Sequence, residues 1–303
     1  MDRPAPAAAS GTAVRAAGRR LPRLLGGDAI SSVALVLMAG AVLLAVAAPF
    51  VCPQDPYDLA QIDILDSFVP PFSRSGAGML YLFGTDDQGR DIFSAIAFGL
   101  RISLAVALTA TLGAVAIGTS IGLAAAYFGD PLDSLLMRIA DMQLAFPAVL
   151  IALMLLALLG SGSDKVVVAI MAVQWAAYAR TVRSVALVEQ GKEYVEAARC
   201  LGYSTMRVLF VHILPNCLAA LSVVVIVQIA AAVLIEATLS FLGLGVPITS
   251  PSLGMLIANG YPFMLSGRFW MTIYPGLTLV LLIFSMNALG ERLRSAANPR
   301  ERR

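Results

Sequence analysis

Residues 102–128 read ISLAVALTATLGAVAIGTSIGLAAAYF, 27 consecutive positions without one charged side chain. At 1.5 Å per residue such a run makes a helix of about 40 Å, enough to cross the ~30 Å hydrocarbon core of a bilayer. Membrane barrels use strands of only about ten residues that alternate in polarity, so a run of this length points to an all-α membrane bundle. Composition agrees. Of 303 residues, 59% are apolar and 13% charged, where a soluble domain carries about 25% charged residues.

Working outward, five more runs are apolar enough to span, at about 29–50, 142–160, 166–185, 217–242 and 270–289. The run at 166–185 is the weakest, because its uncharged stretch is short. The first run follows Arg15, Arg19, Arg20 and Arg23, and Ala45-Val46-Ala47 resembles a cleavage site. Its length exceeds the roughly 7–15 residue core of a secretory signal, so it reads as an uncleaved anchor. Six spans place both ends on one side. That side holds 1–28, 129–141, 186–216 and 290–303, with Arg180 and Arg183 at the edge of the fourth span, and takes 16 of the 21 Lys and Arg. Arg74, Arg90, Arg101, Lys165 and Arg268 fall on the other. The positive-inside rule therefore predicts cytoplasmic termini for a multi-pass membrane protein.

The expected organisation is a basic cytoplasmic tail at 1–28, a first span at 29–50 and an extracytoplasmic loop at 51–100. A five-helix transmembrane domain follows at 101–290, with a cytoplasmic loop at 186–216, and then a cytoplasmic tail at 291–303. The outer loop is rich in aspartate (Asp55, Asp58, Asp63, Asp66, Asp86, Asp87, Asp91), as suits an exported segment.

Within the spans, Gly113, Gly118 and Gly122 offer close helix–helix packing, Gly118 and Gly122 in small-xxx-small spacing. Pro147 is expected to kink the third span. Glu236 is the exceptional carboxylate, a turn or two from an outer end, where a hydrogen-bonded structural role outweighs contact with substrate. No relay of Asp, Glu or His crosses the spans, which counts against an ion-coupled secondary transporter. Paired Asp, Ser–Lys or a His/Glu cluster, as an intramembrane protease needs, is also missing. One histidine and the isolated Cys52, Cys200 and Cys217 give neither a metal spacing nor a disulfide framework. No Gly-x4-Gly-Lys-Ser/Thr loop occurs, since Gly191-Lys192 is followed by Glu193.

The 186–216 loop reads as two helices beneath the membrane. Residues 193–202, EYVEAARCLG, form a short helix between Gly191 and Gly202, glycines able to take positive φ. Ser204 caps the next helix, which Pro215 breaks before span five. Small side chains at Ala197 and Ala198 leave room for another protein's surface.

Here the residues resemble a family. Glu196-Ala197-Ala198, then Gly202, then Leu214-Pro215 are similar to the cytoplasmic loop of permease subunits in bacterial binding-protein-dependent ABC importers. His212-Ile213-Leu214-Pro215-Asn216 resembles the peptide and nickel branch. So do three other blocks: Phe83-Gly84-Thr85-Asp86-Asp87-Gln88-Gly89-Arg90-Asp91, the run from Glu236 to Gly245, and Tyr274-Pro275-Gly276 with 287–294. Together they resemble the second, C-type subunit, over about residues 30–300. The resemblance implies that Glu193, Glu196, Ala197, Ala198, Gly202, Leu214 and Pro215 belong to a loop coupled to an ATPase. It also implies a place in the bacterial cytoplasmic membrane, a heterodimer with a homologous second permease, two ATP-binding cassette subunits that bind ATP and Mg, and an extracytoplasmic solute-binding protein. No cofactor or metal would be held in this chain, and neither an enzymatic activity nor a nucleic-acid partner is expected. The implied cargo is di- or oligopeptides, moved by alternating access; nickel chelates, opines and haem-like solutes are the alternatives. Asp86, Arg90 and Asp91, with Pro147 and Glu236, are the candidates for structural or pathway roles. Asp86 or Asp87 is expected to cap the helix entering span two, with Gly84 and Gly89 in turns.

Overall fold

The computed structural model describes residues 29–58, 60–76, 78–247 and 252–297. The N-terminal tail expected at 1–28, and 298–303 of the C-terminal tail, lie outside these residues. Helix α1 (Ala29–Val51) is the first span, close to where hydropathy put it. Helix α2 (Ile92–Phe128) runs 37 residues and begins ten positions before the apolar run does. The outer loop therefore ends at Asp91 rather than at 100, and Arg101 stands inside a helix instead of in a solvated segment. Polar residues such as Ser94 and Arg101 hid this start, although helix continuity costs nothing where a protein wall replaces lipid.

The third span departs most from expectation. Helix α3 (Leu132–Leu144) and helix α4 (Ala148–Leu159) meet at 94° across Pro147. Proline lacks the N–H that would continue the ladder and drives the preceding residue out of the α region. Pro147 consequently sits outside both helices, at the start of α4 with ψ of 124°, rather than kinking one helix. The corner is held from the side. The Gln143 side-chain amide nitrogen, Nε2, donates to the Ala172 and Val173 carbonyls at 2.6 and 2.8 Å. Arg183 makes a two-pronged ion pair with Asp133, and Arg180 reaches Asp141 at 3.5 Å. All four anchors lie on helix α5 (Ser163–Gln190), the fourth span.

Helix α2 packs on α5 more extensively than any other pair, and the glycines explain how. A β-carbon on Gly118 would lie 2.4 Å from the Trp175 carbonyl oxygen, and one on Gly122 2.5 Å from that of Ala179. The two backbones touch, which only a missing side chain permits.

Helix α6 (Glu193–Cys200) follows α5 after a short break. Helix α7 (Thr205–Phe241) is then continuous for 37 residues. It carries a π-helical stretch at Val208–Ile213 and passes straight through Pro215, which occupies its α-helical restart. Pro215 thus does not break the chain. The wider π turn accommodates the missing N–H just before the α ladder resumes. Helix α8 (Leu253–Gly260) and a 3₁₀ turn (Tyr261–Ser266) lead into helix α9 (Trp270–Ala297), the last span. Among the described residues, five helices are long and apolar enough to cross a membrane, six if α3 and α4 count as one. The main core joins α1, α2, α4, α5, α7, α8 and α9, and a second cluster lies where α2, α5, α6 and α7 meet.

Candidate functional site

Two polar constructions sit at opposite ends of the bundle. In the outer loop a two-residue hairpin, β1 (Ser73–Arg74) with β2 (Leu80–Tyr81), and a 3₁₀ turn at Ile64–Asp66 frame the segment 83–91. Asp86 Oδ1 accepts from the backbone N–H groups of Gln88 and Arg90, both at 2.9 Å, while Arg90 Nε donates to Asp86 Oδ2 at 2.6 Å. Both side chains are buried. The helix cap is Asp91, not Asp86 or Asp87: its carboxylate accepts from Ser94 N at 2.9 Å and Ser94 Oγ at 2.6 Å. This choice follows from spacing, since an N-cap stands two or three residues before the N–H it accepts, and the helix starts at Ile92. Asp91 N in turn donates to Gln54 Oε1 at 2.7 Å, and Trp270 Nε1 to the Thr85 carbonyl at 3.1 Å. The segment therefore knots the ends of α1, α2 and α9 together. Gly84 and Gly89 do turn with positive φ, at 78° and 83°. Burial pushes the Asp87 carboxyl up from its ordinary value, and the neighbouring Asp86 charge adds to the shift. Burial also raises Asp91, against the pull of Ser94.

In the bundle, Glu236 is fully buried and accepts from Ser103 Oγ and Ser240 Oγ, each at 2.7 Å. Those two serines belong to α2 and α7, so the carboxylate cross-links the helices. Neither serine stood out in the sequence, because nothing in spacing alone pairs positions 103 and 240.

At the inner end, α6 is tied to its neighbours through one tyrosine. Tyr194 Oη donates to Glu189 Oε2 of α5 at 2.6 Å and accepts from Asn216 Nδ2 of α7 at 3.0 Å. Asn216 Nδ2 also donates to the His212 carbonyl at 2.8 Å, and Lys192 Nζ to Glu189 Oε1 at 2.6 Å. Burial and the Glu189 carboxylate push the Tyr194 phenol up to about 12. The far end of α6 closes with Tyr203 N donating to Ala198 O at 3.2 Å and Gly202 N to Arg199 O at 2.9 Å. These two bonds around a glycine with φ of 74° make a Schellman end. Gly191, by contrast, has φ of −82°, so its flexibility is not used. Ser204 occupies the cap position of α7 without a side-chain bond.

The exposed and buried faces of α6 sort the expected contact residues. Glu193, Glu196 and Ala197 are exposed, as is Gly202. Ala198 and Val195 are buried against the inner cluster, so Ala198 faces its own chain and not a partner. A helix of this length has to spend one stripe on its own protein, and the pair 195 and 198 is that stripe. Leu214 is half-buried and Pro215 exposed, both inside α7 rather than in a loop. Tyr194, Glu189 and Asn216 were not singled out from sequence, although Asn216 follows Leu214-Pro215 directly.

A bundle of five or six apolar spans with a rigidly mounted helix outside them defines a polytopic membrane protein. The description of a binding-protein-dependent transport system inner membrane component fits residues 118–303, and this chain belongs to that family. It is 34% identical over 268 residues to the dipeptide transport system permease protein DppC of Haemophilus influenzae, covering 88% of this chain and 90% of the relative. It is 35% identical over 266 residues to the di/tripeptide transport system permease protein DppC of Pseudomonas aeruginosa, covering 88% and 86%. Among solved structures, an inward-facing form of the MetNI methionine ABC transporter shares the fold, with a TM-score of 0.54 at 19% identity over 67% of this chain and 96% of that one. The expected class therefore holds: a multi-pass inner-membrane permease component of an ABC importer, with partner ATPase and permease subunits and with ATP hydrolysis residing in the separate subunits. The family places no cofactor in this chain.

Proposed function

We propose that this chain moves di- or oligopeptides inward across the cytoplasmic membrane as one half of a permease heterodimer, driven by two ATPase subunits that dock on α6. Both relatives described above are peptide permeases by name, which supports the cargo. A solute-binding protein would deliver that cargo to the outer face, and both termini would lie in the cytoplasm. Glu193, Glu196, Ala197 and Gly202 form the docking surface in this reading; Ala198, Leu214 and Pro215 hold that surface in place.

One observation carries the proposal: Tyr194 fastens α6 to the last turn of α5 and the first turns of α7 at once. A push on the exposed face of α6 then displaces the ends of two spans together, since a short hydrogen-bonded chain is far stiffer than a loop. Alternating access follows if nucleotide-driven closure of the ATPases supplies that push. The test is ATP-dependent uptake of a labelled dipeptide into vesicles holding the complete importer. Glu196→Lys is expected to abolish uptake while the subunit stays in the membrane. Normal uptake by this variant, and by one with a bulky residue at Gly202, would end the docking assignment.

A further inference from the structure

Arg101 lies on α2 among apolar residues. Gln54, just past the end of α1, bonds the backbone of Asp91, so the outer rim of the bundle is at that level. Ten residues of helix, about 15 Å, separate Asp91 from Arg101. The Arg101 backbone is thus about 15 Å along the helix from that rim, at the outer end of the apolar run 102–128. Arg101 is exposed and, among the described residues, has no hydrogen-bond or ion-pair partner. It heads a cavity of about 370 Å³ enclosed by α1, α2, α7 and α9, lined by Val42, Leu104, Leu108, Ile229 and Met286 among others. Every lining side chain except Arg101 is apolar.

An unpaired arginine in hydrocarbon costs several kcal/mol unless it snorkels or finds an anion. We propose that this groove is a binding site for an anionic phospholipid of the outer leaflet, its phosphate on Arg101 and an acyl chain along Leu104 and Leu108. The direction of the groove fits this occupant. Cationic at its outer end and apolar further in, it matches the polarity of an outer-leaflet lipid, head up and tail down. A peptide fits poorly, because its backbone N–H and C=O groups would face walls with nothing to bond.

The inference rests on the orientation proposed above, with the start of α2 outside. The complete importer in phosphatidylcholine nanodiscs is titrated with spin-labelled phosphatidylglycerol, and the immobilised fraction is read by electron paramagnetic resonance. Wild type is expected to immobilise the probe saturably, and Arg101→Gln to weaken this about tenfold. Leu104→Trp, which keeps the charge and fills the groove, is expected to abolish it. Equal immobilisation in all three proteins would overturn the site, as would displacement of the probe by excess dipeptide. So would loss of permease pairing in Arg101→Gln with unchanged lipid binding, which would make the occupant a protein. In vesicles, a site loaded only from the inner leaflet would overturn the orientation instead, leaving the phospholipid contact itself in place.

Discussion

The motifs at 83–91 and 193–202, outer and inner in the proposed orientation, look alike as strings: each mixes acids, one arginine and at least one positive-φ glycine. Their structures differ in where the polar groups are spent. Asp86, Arg90 and Asp91 are buried and bond one another, the backbone, Gln54 and Ser94. Glu193 and Glu196 are exposed and, among the described residues, make no side-chain bond within the chain. A motif that spends most of its bonds on itself holds the fold, even with Arg90 Nη2 and Asp91 Oδ1 buried without a partner. One that leaves its charges outward offers them to something else.

Breaking the outer pair should give the largest effect. In Arg90→Ala the buried Asp86 carboxylate loses its 2.6 Å partner, at a cost of about 3–5 kcal/mol. The expected outcome is loss of the assembled subunit from the membrane fraction, or a fall in melting temperature of the extracted complex. Glu196→Lys should leave that melt unchanged, since a surface charge away from partners shifts stability within about 0.5 kcal/mol, even though uptake is lost. Equal destabilisation by the two changes would erase the distinction.

The glycines sharpen the same contrast one step down. A β-carbon on Gly89 would meet the Asp63 carbonyl oxygen at 2.1 Å, whereas one on Gly202 would meet nothing within 4 Å. Gly89→Ala combines a backbone collision with strain, about 3 kcal/mol together. Gly202→Ala carries only the left-handed strain, about 1–2 kcal/mol. Thermal unfolding of both variants checks the order. Smaller again is Tyr194→Phe, which removes the hydroxyl between Glu189 and Asn216 and should cost about 1–2 kcal/mol. Its more telling readout is uptake per ATP hydrolysed, which should fall if the tyrosine transmits the stroke.

Much of this was legible in the sequence, and the misses share a cause. Apolar runs located α1 and α9 within a residue or so at their starts, because lipid imposes composition directly. Glycine spacing in α2 showed close packing, though not that Gly118 meets Trp175 of α5. What failed were signals that depend on a neighbour. Pro147 and Pro215 carry the same local rule, yet one makes a 94° corner and the other lies within a helix; Gln143 and the preceding π turn decide between them. Ala197 and Ala198 are adjacent and alike, and only the packing of α6 says which one faces out.

Asp87 gives the finest test of the outer motif, because it is an acid there that belongs to neither the Asp86–Arg90 pair nor the Asp91 cap. Its Oδ1 is buried without a hydrogen-bond partner, and its pKa is raised from 3.8, first by burial and then by Asp86. A carboxyl whose folded pKa is raised favours folding in its protonated form. That contribution is full below the unfolded pKa near 3.8 and is lost as pH rises through the higher folded value. At neutral pH the charged Asp87 therefore opposes the fold slightly, and Asp87→Asn, fixed in the neutral form, should melt a little higher than wild type. The advantage should shrink as pH falls toward the ordinary carboxylate range and vanish beneath it. The effect is small because Asp87 is only partly buried. Melting curves of the extracted complex across this range decide the matter: an advantage that grows on acidification would mean that Asp87 is stabilising as an anion.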